Sequence, residues 1–155
     1  MIHKQQKTDF GCVFASLAMV LGGDESYYFQ AINGSEIDGT TALEVSKYLT
    51  KSNIEHLLVG INDNIDNLWW LEPQSTRYPI IVCGVFKHKT ASGIGRPRER
   101  HHAFVINERK IFDPSEKFVL DFGAKYGYKK LIIDHIIIVL NENNNYGKGM
   151  INHEY

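Results

Sequence analysis

Cys12 follows a glycine and opens an apolar run, Cys12 to Leu21, in which only Cys12 and Ser16 interrupt the hydrophobic residues. A run that is apolar on all sides predicts a helix buried in the middle of a domain. Gly22-Gly23 ends it by allowing a left-handed cap. Cys12 therefore falls in the first turn of a helix. There the helix dipole and the free N–H groups favour negative charge, and thiolate is the reactive form of cysteine. A free cysteine is also a common, inert core residue, so a nucleophile reading needs a base.

His101-His102 begins an apolar stretch that ends at Asn107, and Lys110 to Asp113 follows after Glu108-Arg109. If the chain turns at Glu108-Arg109, Asn107 pairs with Lys110 and Phe104 faces Asp113. His102 then lies diagonal to Asp113 on one face of a hairpin, within reach of a carboxylate. Asp113 would fix the tautomer of the imidazole and leave its other nitrogen for Cys12. A slip of one residue would put His101 in that place instead. Gln6, six residues before Cys12, offers a side-chain amide to a developing oxyanion, with the Cys12 N–H as the second donor.

The elements that must hold these groups are legible as a change of period. The first half predicts helices over Cys12–Leu21, Glu25–Ile32 and, from a capping box at Thr41 and Glu44, to Lys51. Asn33-Gly34-Ser35 reads as a loop. The second half predicts strands over Glu55–Gly60, Tyr78–Phe86, His102–Asn107, Lys110–Asp113 and Leu131–Leu140, with a short helix over Ile65–Leu71 that carries Trp69 and Trp70. Helices first and strands afterwards make an α+β domain whose N-terminal helices pack on an antiparallel sheet. Residues 1–140 read as a single domain, and 141–155 as an Asn-rich frayed tail.

Lys87 to Arg100 has no periodicity and carries five Lys or Arg against one Glu. It reads as a basic loop, either solvated or a clamp on an acidic partner. Arg96, Arg98 and Arg100 are its candidate substrate contacts. Trp69 and Trp70 are candidates for the wall of a substrate groove, or for packing. Cys83, inside an apolar strand, reads as inert.

The 155 residues suit one domain, with 43% hydrophobic and 23% charged residues and a formal net charge of -1. That balance gives no sign of nucleic acid or of an anionic membrane as partner. No apolar run has the length of a membrane span, and the N-terminus has no signal-peptide pattern. Two cysteines make no disulfide framework, so a reducing cytoplasm is the expected compartment. His88, His101 and His102 have no zinc-site spacing with Cys12, and neither a metal nor another cofactor is expected.

Three stretches together resemble a known family. They are Gln6-Lys-Thr-Asp-Phe-Gly-Cys12 with the apolar helix after it, Asp38-Gly-Thr-Thr-Ala-Leu-Glu-Val-Ser-Lys-Tyr-Leu49, and His102-Ala-Phe-Val-Ile followed by Ile111-Phe-Asp113-Pro114. Their order resembles the papain-like cysteine peptidases, and within them the C39 family, the bacteriocin-processing peptidases that cleave after a double-glycine leader. The resemblance implies a papain-like fold, with Cys12 as nucleophile, His102 as general base and acid, Asp113 as orienting carboxylate and Gln6 as oxyanion donor. The family usually has Asp before its Cys and Gly after it, where this chain has Gly11 and Val13. It is usually fused to an ABC transporter, and these 155 residues contain neither transmembrane helices nor an ATPase.

The implied function is thiol hydrolysis of a peptide, isopeptide or amide bond through a thioester intermediate. With no inhibitory segment ahead of Gln6, narrow specificity for one protein or peptide partner is expected, in the manner of a phage or mobile-element protein acting in a host cytoplasm. Acyl transfer and side-chain deamidation use the same intermediate. A cell-wall amidase and a catalytically silent papain-like binding module are the other readings of the same residues.

Overall fold

A computed structural model of the chain describes residues 1–8, 11–32, 40–88 and 98–141. The predicted loop at 33–35, Asp38-Gly39 of the second resembling stretch, Arg96 with most of the basic segment, and the tail from 142 lie outside the described residues.

The chain is α+β. Three helices come first: α1 (Cys12–Leu21), α2 (Glu25–Ile32) and α3 (Ala42–Lys51). Helix α1 is buried along nearly all its length, as its all-apolar sequence requires. Gly22 and Gly23, with φ of 85° and 84°, turn the chain from α1 into α2. Helix α3 is amphipathic, burying Ala42, Val45 and Leu49. Its capping box is complete, with Thr41 accepting from the Glu44 N–H and Glu44 reaching back. Such a cap contributes about 1 kcal/mol.

Six strands form one sheet in the order β1-β6-β2-β3-β4-β5. They are β1 (His56–Asn64), β2 (Ile80–His88), β3 (Arg98–Asn107), β4 (Lys110–Phe112), β5 (Leu120–Asp121) and β6 (Leu131–Val139). Every neighbouring pair is antiparallel. Alternation along the strands builds two cores. One face sends Ile81, Ala103, Val105, Ile137 and Val139 against α1, α2 and α3. The other sends Ile80, Val82, Phe104, Ile106 and Ile136 against Ile65, Leu68, Leu71, Phe122 and Tyr128. The central strands are therefore apolar on both faces, which is why they read as nearly unbroken hydrophobic runs.

The structure departs from the expected elements in three places. First, the helix predicted over Ile65–Leu71 is split into a 3₁₀ turn at Ile65–Asn67 and a short α4 at Leu71–Gln74, with Trp69 and Trp70 in the turn between. Local side-chain bonds draw the chain tight there. Asn64 Oδ1 accepts from the Asp66 N–H at 3.0 Å, and Asn67 Nδ2 donates to Asp63 Oδ1 at 2.8 Å, the kind of local competition that disfavours a continuous helix. Second, the basic segment is not all loop. The ladder between β2 and β3 continues through Phe86↔Arg100, Lys87↔Glu99 and His88↔Arg98, so β3 begins at Arg98 and not at His102. Backbone hydrogen bonds carry a hairpin past the end of its apolar pattern. Third, β5 and the 3₁₀ helix Phe122–Tyr128 were not foreseen.

The β3–β4 turn has the expected register, with Asn107↔Lys110, Ile106↔Ile111 and Val105↔Phe112. Glu108 and Arg109 both take positive φ, 49° and 65°, as a two-residue hairpin turn demands. Ser75 pins the turn from below. Its carbonyl accepts from the Glu108 N–H at 2.8 Å and its Oγ from the Arg109 N–H at 3.0 Å.

Candidate active site

Cys12 is the first residue of α1 and is nearly buried, with 8% of its surface exposed. Its position follows from the α1 sequence, which must sink into the core from its first turn. Val13, Phe14 and Leu17 pack there beside Ala103 and Val105 of β3. On β3, His102 lies on the opposite face from Ala103. The ladder to β4 ends at Val105–Phe112, so at His102 the β4 side of β3 is no longer covered by β4. Asp113 comes one residue after β4 ends.

His102 Nε2 donates to Asp113 Oδ2 at 2.9 Å. That leaves Nδ1 for Cys12, the other side chain hydrogen-bonded to this ring. His101 is exposed, and the bond to Asp113 belongs to His102. The ring is fixed by its neighbours as well. Tyr128 stacks on it at 6.3 Å between centroids and 11° between planes, and Phe86 and Phe104 flank it at 6.0 Å each.

Asp113 is buried and fully engaged. The Tyr128 hydroxyl donates to Oδ2 alongside His102, while the Ser115 N–H and Oγ–H donate to Oδ1 at 2.8 and 2.7 Å. Burial alone would push this carboxyl up. The His102 hydrogen bond and charge, with the Tyr128 and Ser115 donors, outweigh burial and bring it down to about 2. Burial likewise pulls the His102 imidazolium down, but the bonds to Asp113 and Cys12 and their charges lift it to about 9. Tyr128 is pushed up, by burial first and then by Asp113, so it stays a donor at every ordinary pH. The site at neutral pH therefore holds an ionised Asp113 against a protonated His102.

The loop ahead of Cys12 is tied down at several points. The Gln6 N–H donates to Pro114 O at 2.9 Å, and His3 Nε2 donates to Asp113 O at 2.8 Å. The Gln6 carboxamide nitrogen donates to Thr8 O at 2.9 Å, within its own loop. Glu25, buried in the first turn of α2, accepts from the Lys7 N–H at 2.8 Å and from Thr8 Oγ1 at 3.2 Å. Its carboxylate fills the space beside Gly11. Glu25, Ser115 and Tyr128 carry no spacing signal in the sequence. Glu25 reads only as an acidic first-turn residue of α2, and Tyr128 lies in an element the pattern did not reveal.

The structure thus brings Cys12, His102 and Asp113 together and anchors Gln6 to the residue after Asp113. It does not gather all the proposed substrate contacts. Trp70 is half-buried and packs against the core on the Phe104 face. Trp69 is 74% exposed in the turn before α4, and no described contact joins it to His102. Arg100 is exposed on β3 with its guanidinium 4.9 Å from the Phe86 ring centre. Arg98 is in β3, but its side chain lies outside the description. Among the described residues, no group of three or more His, Cys, Asp or Glu is arranged to hold a metal ion, and no helix is long and apolar enough to cross a membrane.

A scan against protein-family models finds no matching family, and a search of curated proteins finds no matching relative.

Proposed function

We propose that the chain is a papain-like thiol hydrolase that cleaves a peptide, isopeptide or amide bond in a protein partner through a thioester on Cys12. The observation that carries this reading is the imidazole of His102, hydrogen-bonded on one side to a buried carboxylate and on the other to a thiol at a helix N-terminus. A histidine that serves only to pack does not need both partners.

In the proposed reaction, the proton of the Cys12 thiol resides on His102 Nδ1, and the Cys12 sulfur attacks the carbonyl carbon with formation of a C–S bond. The oxyanion collects at the Cys12 N–H, at the start of α1, and at the carboxamide of Gln6, on the loop that Glu25 secures. His102, kept as imidazolium and oriented by Asp113, gives its Nδ1 proton to the leaving nitrogen as the C–N bond breaks. The neutral imidazole then takes a proton from water, whose oxygen attacks the thioester carbon; the C–S bond breaks, the acid is released and the Cys12 sulfur is restored beside the protonated ring. Asp113 keeps the ring in place and balances its charge without itself being protonated. Arg100, and Trp69 as an exposed aromatic, are the residues available to contact the partner.

Alkylation with iodoacetamide across pH tests the reading, comparing wild type, Cys12→Ala and His102→Ala. Cys83 is the internal control. Burial above all, then the negative charges that Cys12 and Asp134 can carry, push its thiol up to about 12. Expected are rapid labelling of Cys12, its loss in His102→Ala, and one modified site per folded chain at pH 8. Slow labelling of Cys12 that ignores His102→Ala would remove the enzyme reading and favour a binding module.

A further inference from the structure

His102 is the proton donor to the leaving amine in the proposed reaction, so whatever is attached to that amine must lie beside His102. The ring is enclosed on most sides, by Cys12 and Asp113 at its nitrogens and by Tyr128 and Phe104 around its faces. Outward along β3, two residues before His102 and on the same face, is Arg100. Its cross-strand partner is Phe86, whose ring stands 6.0 Å from His102 on one side and 4.9 Å from the Arg100 guanidinium on the other. Arg100 is exposed and rests on an aromatic face; among the carboxylates whose side chains are described, none forms an ion pair with it. A planar guanidinium held this way keeps its fork of donors for a carboxylate.

We infer that Arg100 recognises a carboxylate on the leaving-group side of the scissile bond, so that the preferred substrate releases an acidic amine product. This rests on the thiol-hydrolase reading and names its substrate class. The carboxylate has two possible sources: the side chain of an acidic residue just after the cleaved bond, or the C-terminal carboxylate of a short leaving segment.

The reverse of the leaving step isolates this contact. Acyl-Cys12 formed from p-nitrophenyl acetate releases p-nitrophenol. An added amine then attacks the thioester carbon, a C–N bond forms, the C–S bond breaks, and the amine's proton passes to His102. Offered at matched free-base concentrations, the amines would be glycinamide and asparagine amide (neutral), aspartic acid α-amide (side-chain carboxylate) and glycine (α-carboxylate). The ratio of N-acetyl product to acetate is the readout. An anionic acceptor should exceed the neutral ones by about 2- to 5-fold, the scale of an exposed ion pair. That preference should shrink in 0.5 M salt and reverse in Arg100→Glu. Preference for aspartic acid α-amide alone assigns a side-chain carboxylate, and preference for glycine assigns a C-terminal one. Equal ratios for all acceptors, unchanged in Arg100→Glu, would overturn the inference while leaving the hydrolase reading intact. Failure to form any acyl-Cys12 would overturn the hydrolase reading and this inference with it.

Discussion

Gly11 and Glu25 share one space: a Cβ at position 11 would lie 2.2 Å from Glu25 Oε2 and 2.8 Å from Thr8 Oγ1. The same carboxylate that excludes a side chain there also accepts from Lys7 and Thr8. The glycine before Cys12 is thus explained by a residue fourteen positions later, and the loop that carries Gln6 and leads into Cys12 is tied to α2.

That relationship is testable as a coupling. Gly11→Ala forces a contact far inside van der Waals distance, and overpacking of this kind costs about 1–3 kcal/mol. In a Glu25→Ala background the two closest contacts are gone and only the Thr8 hydroxyl, at 2.8 Å, still meets the new Cβ, so the Gly11→Ala penalty should drop by more than half. Urea unfolding of the four proteins in the cycle measures it. Equal penalties in both backgrounds would show that the two residues do not compete for one volume.

The His102–Asp113 pair predicts a stability window in pH. His102 is raised from 6.5 to about 9 in the folded chain, so its contribution is complete below pH 6.5 and disappears as pH rises through about 9. Asp113 is lowered from 3.8 to about 2, so its contribution is complete above about pH 4 and disappears as pH falls through about 2. Both describe one interaction, counted once, of about 3 kcal/mol and fully present between roughly pH 4 and 6.5. In Asp113→Asn, burial becomes the dominant influence on His102, and its imidazole should titrate well below 9. Two-dimensional NMR of the ring through a pH series reads this directly, and an unshifted titration would contradict the assigned cause.

Tyr128 makes two separable contacts, a hydroxyl bond to Asp113 and a ring stacked on His102. Tyr128→Phe keeps the stack and removes the donor. A hydrogen bond to a charged group is worth about 1.5–3 kcal/mol, so thermal stability should fall by that amount and the Asp113 carboxyl should rise from about 2. Tyr128→Leu removes the stack too. It should also slow Cys12 alkylation, whereas Tyr128→Phe should leave alkylation nearly intact because His102 stays bonded to Asp113.

The turn that sets the register of β3 and β4 carries two non-glycine residues at positive φ. Glu108→Asn with Arg109→Gly supplies the residues such a turn favours. It should stabilise the protein by about 1 kcal/mol, relieved backbone strain exceeding the extra entropy of the unfolded chain. Chemical denaturation tests the sign; a loss of stability would mean that the Glu108 or Arg109 side chain contributes more than the strain removes.

Much of this architecture could be read from local pattern. The α1 boundaries, the Thr41–Glu44 capping box and the two-residue turn at Glu108-Arg109 follow from patterning, caps and turn geometry, and these act over only a few residues of chain. The diagonal placement of His102 and Asp113 was legible for the same reason, because a tight turn fixes the register of the strands it joins. The split of Ile65–Leu71 was not legible, since apolar spacing does not weigh the Asp63, Asn64 and Asn67 side-chain bonds that tighten the chain. Nor was the extension of β3 back to Arg98, where ladder hydrogen bonds continue without any apolar alternation to mark them.

Tertiary structure alone decided what surrounds those residues. The sequence determined that a thiol begins a buried helix and that a histidine and an aspartate share a hairpin face. Only packing brought Cys12 within hydrogen-bonding reach of His102, laid Tyr128 across the ring, set Glu25 beneath Gly11 and seated Arg100 on Phe86. These contacts join residues far apart in the chain through the burial of apolar faces. Burial selects for shape and volume, which leave no fixed spacing in a sequence.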